Sequence, residues 1–374
     1  MFKQSISNRR VFKRDEISDV CLRRLHPVGA WSAIVLGATG IALVLFLAAN
    51  VWEHHKREFP RNLGNARAAR LLASRETGSN SVKFAVIGDI HNGTETFEAV
   101  AAHLREEQNV AFLVLLGDCA DDPVQNLHIH FINEFAETGL GLPTFIVAGN
   151  HDVAPGKFGY PEFEGLYGPA NFAFTYHGNL FIGLGGLHEQ KKLIGTLSFL
   201  EKTLQEKRSS AKKVFVFMHY SPAPPDYVIA GWQDVMKKFQ NLFERYKVTY
   251  VFSGHHHRLV HTNINGVIYL ISGGGGAFLR NDRFRSIGLF HHVTVIEISE
   301  NEIAEHIIPV APAGGFSMVM DRIESVGLTT FLPWSWRHPV LSVILIMVFI
   351  GMLSWGAADR RRQRTLSKAQ KTYE

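Results

Sequence analysis

The sequence predicts an α/β globule with a mixed β-sheet, carried between two transmembrane helices, one near each end of the chain. Three observations lead there. Two long apolar runs, residues 31–52 and 339–357, contain no Asp, Glu, Lys or Arg. Between them, short apolar runs of five or six residues alternate with stretches of helical periodicity, as expected of buried strands in a largely parallel sheet. Further along, apolar runs follow one another with no helix between them, which adds antiparallel pairs.

The spans are placed at 30–52 and 339–357. At about 1.5 Å rise per residue, each run approaches the roughly 30 Å of a bilayer's hydrocarbon layer. Five of the six tryptophans (Trp31, Trp52, Trp334, Trp336 and Trp355) stand at the ends of these runs, where an amphipathic ring favours the headgroup level. The polar lead before the first run is too long for an ordinary signal peptide, so an uncleaved anchor is expected.

The formal charge of +5 is unevenly spread. Residues 1–29, 53–75 and 358–374 each carry +4, leaving −7 for residues 76–357. Basicity thus belongs to segments beside the spans, which suits contact with anionic lipid headgroups. An acidic globule disfavours a nucleic-acid partner. The Arg360, Arg361, Arg362 and Arg364 cluster points to a cytoplasmic C-terminus. Two spans then put both termini in the cytoplasm and the globule outside it. Only Cys21 and Cys119 occur, so no disulfide can close within the globule.

The expected organisation is a basic tail (1–29), a first span, a basic juxtamembrane linker (53–81), a globular domain (82–310), a second linker (311–338), a second span and a basic tail (358–374). Within the globule, strands are expected near residues 83–88, 111–116, 144–148, 214–218 and 248–252. Helical patterns lie near 95–107, 127–138, 197–207 and 232–246. Strand pairs are expected at 172–176 with 180–184, and at 260–263 with 267–272 through the hairpin dipeptide Asn265-Gly266. A last pair joins 288–298 to 303–310.

What ends the apolar runs carries the chemistry. The first ends in Gly88-Asp89-Ile90-His91, the second in Gly117-Asp118-Cys119-Ala120-Asp121, and the third in Gly149-Asn150-His151-Asp152. The fourth ends in His219 and the fifth in Gly254-His255-His256-His257. Strand C-termini in open α/β sheets form the ligand crevice. Imidazole nitrogens with carboxylate and amide oxygens suit two divalent or trivalent cations, manganese, zinc or iron. Such a pair clamps a phosphate and activates water. Taken singly, Asp89 reads as a helix cap and His219 as a core histidine. Five coincident strand ends outweigh those readings. His128 and His130 read as surface residues, Cys119 as packing, and Gly273 to Gly276 as a tight turn near the site.

These blocks, D-x-H, GD-x-x-D, GNHD, a lone H and GH-x-H in order, resemble the calcineurin-like metallophosphoesterase family over roughly residues 82–310. The resemblance implies a sandwich of two β-sheets flanked by helices. It implies that Asp89, His91 and His257 hold one metal, that Asn150, His219 and His255 hold the other, and that Asp118 bridges them. His151 would be the catalytic histidine, oriented by Asp152. Asp121-Asp122 and Asp152 depart from the protein phosphatase pattern, and Asp121 stands where purple acid phosphatases place a tyrosine. The expected activity is hydrolysis of a phosphate mono- or diester, with a lipid-linked substrate suggested by the tethering. A soluble nucleotide or sugar phosphate is the alternative, and a non-catalytic scaffold of the same fold is the third reading.

Overall fold

The structure is a computed structural model that describes residues 31–42, 44–45, 58–75, 81–224, 228, 230–279, 288–311, 327 and 332–372. The chain divides into two compact units, His54–Thr329, and Met1–Glu53 together with Thr330–Glu374.

The larger unit contains eleven strands among its described residues. They are β1 (Val82–Ile87), β2 (Val110–Leu115), β3 (Thr144–Ile146), β4 (Asn171–Tyr176), β5 (Asn179–Leu184), β6 (Val214–Met218), β7 (Tyr250–Ser253), β8 (Leu259–Ile264), β9 (Val267–Ser272), β10 (His292–Ile298) and β11 (Ile303–Pro309). They form two mixed sheets, ordered β11-β10-β1-β2-β3 and β4-β5-β6-β7-β9-β8. Strands β1, β2 and β3 are mutually parallel, as are β5, β6, β7 and β9. The expected antiparallel pairs all form.

Period-two alternation explains the continuous apolar runs. In β6, Val214, Val216 and Met218 face the helices, while Phe215 and Phe217 face the opposing sheet. In β2, Leu113 and Leu115 face the helices, while Phe112 and Val114 face inward. Both faces are buried, so both sets must be apolar. Phe84 is central to the layer between the sheets, with its ring centroid 5.1 Å from Phe112 and 5.4 Å from both Phe181 and Phe215. Helices Thr94–Glu106 and Gln125–Glu137 cover the first sheet through Phe97, Val100, Phe131 and Phe135. Helices Gln190–Lys207 and Gln233–Arg245 cover the second through Leu200, Leu204, Phe239 and Phe243.

Two parts of this unit were not expected. The segment after Asp152, where no helical pattern was expected, contains the helix Tyr160–Tyr167. The segment read as a juxtamembrane linker docks onto the globule from residue 58 to residue 75. Its helix Asn65–Ala73 buries Asn65, Ala68 and Leu72, and Leu63 bridges to Thr144 on the open edge of β3. Asn65 Nδ2 donates to the carbonyls of Ile146 (3.0 Å) and Pro169 (2.8 Å), and its Oδ1 accepts from the Ile146 amide (2.8 Å). This arm occupies hydrogen-bonding groups that an edge strand would otherwise expose. The arginines and Pro60 obscured its short apolar stripe.

In the smaller unit, the helix Pro339–Thr372 contains a stretch, Pro339–Arg362, with mean hydropathy 2.4. Large apolar side chains on it face outward, Val340 being 71% and Met347 66% exposed. Two spans were expected, but among the described residues this one helix is long and apolar enough to cross a membrane. The other apolar helix, Trp31–Ala42, is shorter, and residues 46–52 of the expected first span lie outside the described residues. Its buried stripe is Ala33, Gly37 and Gly40. A Cβ at Gly37 would collide with Leu353, and one at Gly40 with Phe349, so the glycines admit the partner helix at close range. The Arg360 guanidinium lies 4.4 Å from the Trp31 ring centroid. The basic tail 1–29 lies outside the described residues, as does most of the expected linker 311–338.

The arm's docking predicts that Asn65→Ala destabilises the larger unit by about 2 kcal/mol, because the Ile146 amide loses a buried partner. Thermal unfolding of the full chain in detergent measures this, and an unchanged transition would contradict it.

Candidate metal centre

The parallel strands deliver their C-terminal tips to one rim. Main-chain bonds lock the tips together: Gly88 N donates to Ser272 O (2.8 Å), Asp89 N to Gly117 O (3.0 Å) and Gly254 N to His219 O (3.0 Å). Crowding there demands glycine. A Cβ at Gly117, where φ is +94°, would sit 2.7 Å from His219 Nδ1, and one at Gly149 would collide with the Asp118 carboxylate. Eight described non-glycine residues have positive φ, and four of them are Asp89, His91, Asp118 and His255. Backbone conformations of that kind persist where the surroundings over-determine them, often at functional sites.

All seven expected ligands converge. Donor atoms of Asp89, His91 and His257 lie within 4.8 Å of one another, as do those of Asp118, His219 and His255. Asp118 stands between the groups, its Oδ2 3.4 Å from His91 Nε2 and 3.3 Å from His219 Nε2. Asn150 Oδ1 is 3.0 Å from both His219 Nε2 and His255 Nδ1. His257 Nε2 is 3.6 Å from Asp89 Oδ1.

The outer nitrogens define what the inner ones can do. His219 Nδ1 donates to the Leu116 carbonyl (2.9 Å) and His257 Nδ1 to the Phe278 carbonyl (2.7 Å). His91 Nδ1 faces the Asp121 carboxylate at 3.3 Å. In neutral imidazoles so arranged, each Nε2 carries a lone pair pointed at carboxylate or amide oxygens. Acceptor then faces acceptor in a buried site, and His91 Nε2 and Asp89 Oδ2 have no hydrogen-bond partner. A cation or a proton must lie between them. This donor set, with its outer nitrogens held by oxygen acceptors, fits bound metal.

The charges agree. Burial pushes the Asp89 carboxyl up to about 7, with His219 opposing and Asp118 reinforcing the rise. Burial opposes charge on His91 and His219, yet the carboxylates beside them hold these groups up at about 10 and about 9. Asp118 is held well below the usual carboxylate range: burial works against this, but His219 and His91 prevail. Protons thus take the histidines when cations do not, and metal uptake must displace them.

His151 lies beside this cluster, its ring centroid 4.5 Å from that of His91. Its Nδ1 donates to the Asp121 carbonyl (2.6 Å), leaving Nε2 with the lone pair in the neutral ring. Asp152 does not contact that ring as expected. Its carboxylate accepts from four amides instead: Asp118 (2.8 Å), Cys119 (2.9 Å), Ala120 (3.1 Å) and Gly149 (2.8 Å). The orienting group is Asp121, through its carbonyl to His151 and its carboxylate to His91. The last residue of GD-x-x-D was the available signal, but no spacing reveals which atom acts.

His128 and His130, expected at the surface, are 0% and 8% exposed. Tyr220 packs among His219, His188, Trp232 and His255. His188, unmarked in the sequence, donates through Nε2 to the Ala148 carbonyl (3.1 Å), and burial pushes its pKa down to about 4. The Gly273–Gly276 turn reaches the site, with Gly275 N donating to Gly88 O (2.9 Å).

Residues 82–259 match the sequence model of the calcineurin-like phosphoesterases. No curated protein matches the chain. Among solved structures, it is similar to GAP50, the anchor in the inner membrane complex of Plasmodium, at 14% identity and TM-score 0.45, covering 65% of this chain and 94% of that one. A purple acid phosphatase from yellow lupin seeds is 16% identical with TM-score 0.45, covering 65% and 56%. A dimetal phosphatase from Danio rerio is 12% identical with TM-score 0.48, covering 61% and 96%. Residues 82–259 are therefore a calcineurin-like phosphoesterase domain, which supports a hydrolase acting on phosphate esters.

Proposed function

We propose that the chain is a membrane-anchored phosphoesterase with a dinuclear centre, hydrolysing a phosphate mono- or diester. Asp89, His91 and His257 would hold one cation, Asn150, His219 and His255 would hold the other, and Asp118 would contribute to both. The observation that carries this reading is the Asp118 carboxylate lying 3.4 Å and 3.3 Å from histidine nitrogens of the two groups. Manganese, zinc or iron suits the nitrogen–oxygen donor set. When bound, the cations supply charge neutralisation for the phosphate and lower the pKa of the attacking water.

The protein's own residues do the rest. The Asp121 carbonyl fixes the His151 ring so that its Nε2 can carry a proton to the leaving oxygen or hydrogen-bond the phosphate. Asp121 also orients His91. Asp152 keeps the loops bearing Asp118 and Asn150 in register, and the His151 amide donates to Asp118 Oδ1 at 2.8 Å.

Membrane anchoring is supported by the exposed apolar surface of Pro339–Arg362. A second span at 30–52 is supported by the glycine notches that receive Phe349 and Leu353 and by the stacking of Arg360 on Trp31. That contact joins the start of one helix to the end of the hydrophobic part of the other, which supports both termini lying on one side. Arg360, Arg361, Arg362 and Arg364 favour the cytoplasm for that side. A domain held at a bilayer suits a lipid-linked phosphate, and a soluble nucleotide or sugar phosphate is the second substrate class. The complete donor set disfavours a non-catalytic scaffold.

His151→Ala should lower kcat on aryl phosphate esters by about 10²–10⁴-fold with metal content unchanged. Wild-type turnover would remove His151 from the chemistry, and no hydrolysis of any ester by the metal-loaded wild type would favour the scaffold. In right-side-out sealed vesicles, added protease should digest the domain and spare the 358–374 tail. The converse pattern would overturn the topology.

A further inference from the structure

Beneath the metal centre lies a buried polar network that the mechanism above does not use. His128, on the helix Gln125–Glu137, is fully buried. Its Nε2 is 2.8 Å from the Asp152 carbonyl. A carbonyl can only accept, so Nε2 carries a proton. In the neutral ring, Nδ1 then accepts the Tyr167 hydroxyl, 3.0 Å away. The ring is held flat against Phe158, with centroids 4.2 Å apart and planes at 25°. Tyr167 in turn lies against the docked arm. Its ring centroid is 6.2 Å from that of Phe59, and a Cβ at Gly64 would sit 2.7 Å from its carbonyl oxygen.

Asp152 is the link from this network to the centre. Its carboxylate gathers amides from both the Asp118 loop and the Gly149 turn, so a change in its backbone orientation would displace both together. The hydrogen bond from His128 fixes the Asp152 peptide through its carbonyl. We propose that His128 is a positioning residue for the metal centre. It holds Asp152, and through it Asp118 and Asn150, with Tyr167 and the arm at residues 58–75 as its outer support. This rests on the reading of Asp118 and Asn150 as metal ligands.

The test is Mn²⁺ titration of the full chain in detergent, with affinity read by electron paramagnetic resonance and folding by near-ultraviolet circular dichroism. His128→Leu should bind Mn²⁺ about 10–100-fold more weakly, the loss typical when a group supporting a ligand is removed. His128→Gln should recover most of that affinity, because its amide can donate to the Asp152 carbonyl. Tyr167→Phe, which keeps the ring and removes only the hydroxyl, should weaken binding several-fold. It decides the matter should His128→Leu fail to fold. Folded variants with wild-type affinity would overturn the proposal and leave the dinuclear reading intact. Equal losses in His128→Leu and His128→Gln would assign His128 to packing alone and also overturn it. A wild-type chain that takes up no Mn²⁺ would overturn both.

Discussion

The site depends on one electrostatic constraint: buried lone pairs converge on the Asp118 carboxylate, and only bound cations or protons on His91 and His219 can neutralise them. His91 and His219 turn their Nε2 atoms toward Asp118 Oδ2 from opposite sides at 3.4 Å and 3.3 Å. Their outer nitrogens are already committed to Asp121 and to the Leu116 carbonyl. Burying acceptors against acceptors is unfavourable unless positive charge enters. The rest of the domain can be understood as what holds these groups in place despite that cost. Left-handed backbone at four proposed ligands, glycines that admit no Cβ, and four amides gathered on Asp152 all oppose relaxation of the cluster.

The sheets supply the rigidity. Parallel strands in both layers end at the same rim, and aromatic packing between the layers, centred on Phe84, fixes the tips relative to one another. A core of interlocked rings resists small displacements. The arm from residue 58 to residue 75 closes the free edge beside β3, whose tip carries Asn150 and His151.

Much of this was legible in the residues. Glycine followed by Asp, Asn or His at the ends of four of the five β-branched or aromatic runs marked the rim, because a strand tip combines that backbone freedom with those donors. Asn265-Gly266 marked its hairpin for the same reason of local geometry. What escaped depends on tertiary contacts. His128 and His130 sit in a polar-looking stretch, and His128 is covered by Phe158 and by Phe163 and Tyr167 of a helix, Tyr160–Tyr167, that was not expected. Asp152 follows His151 directly and invited pairing with it, yet the turn sends its carboxylate back to the Asp118 loop. Asp121 orients His151 through a main-chain carbonyl, which no side-chain pattern encodes. The arm's apolar stripe is only Leu63, Ala68 and Leu72, too sparse to stand out among arginines.

The claim that most needs testing is that Asp118 joins two cations rather than one. Bridged Mn²⁺ ions about 3.5–4 Å apart couple magnetically. Electron paramagnetic resonance of the fully loaded chain should therefore show an exchange-coupled pair at two Mn²⁺ per protein, and Asp118→Asn should abolish the coupling and reduce the manganese bound. A single uncoupled Mn²⁺ signal at saturation, unchanged in Asp118→Asn, would contradict the account.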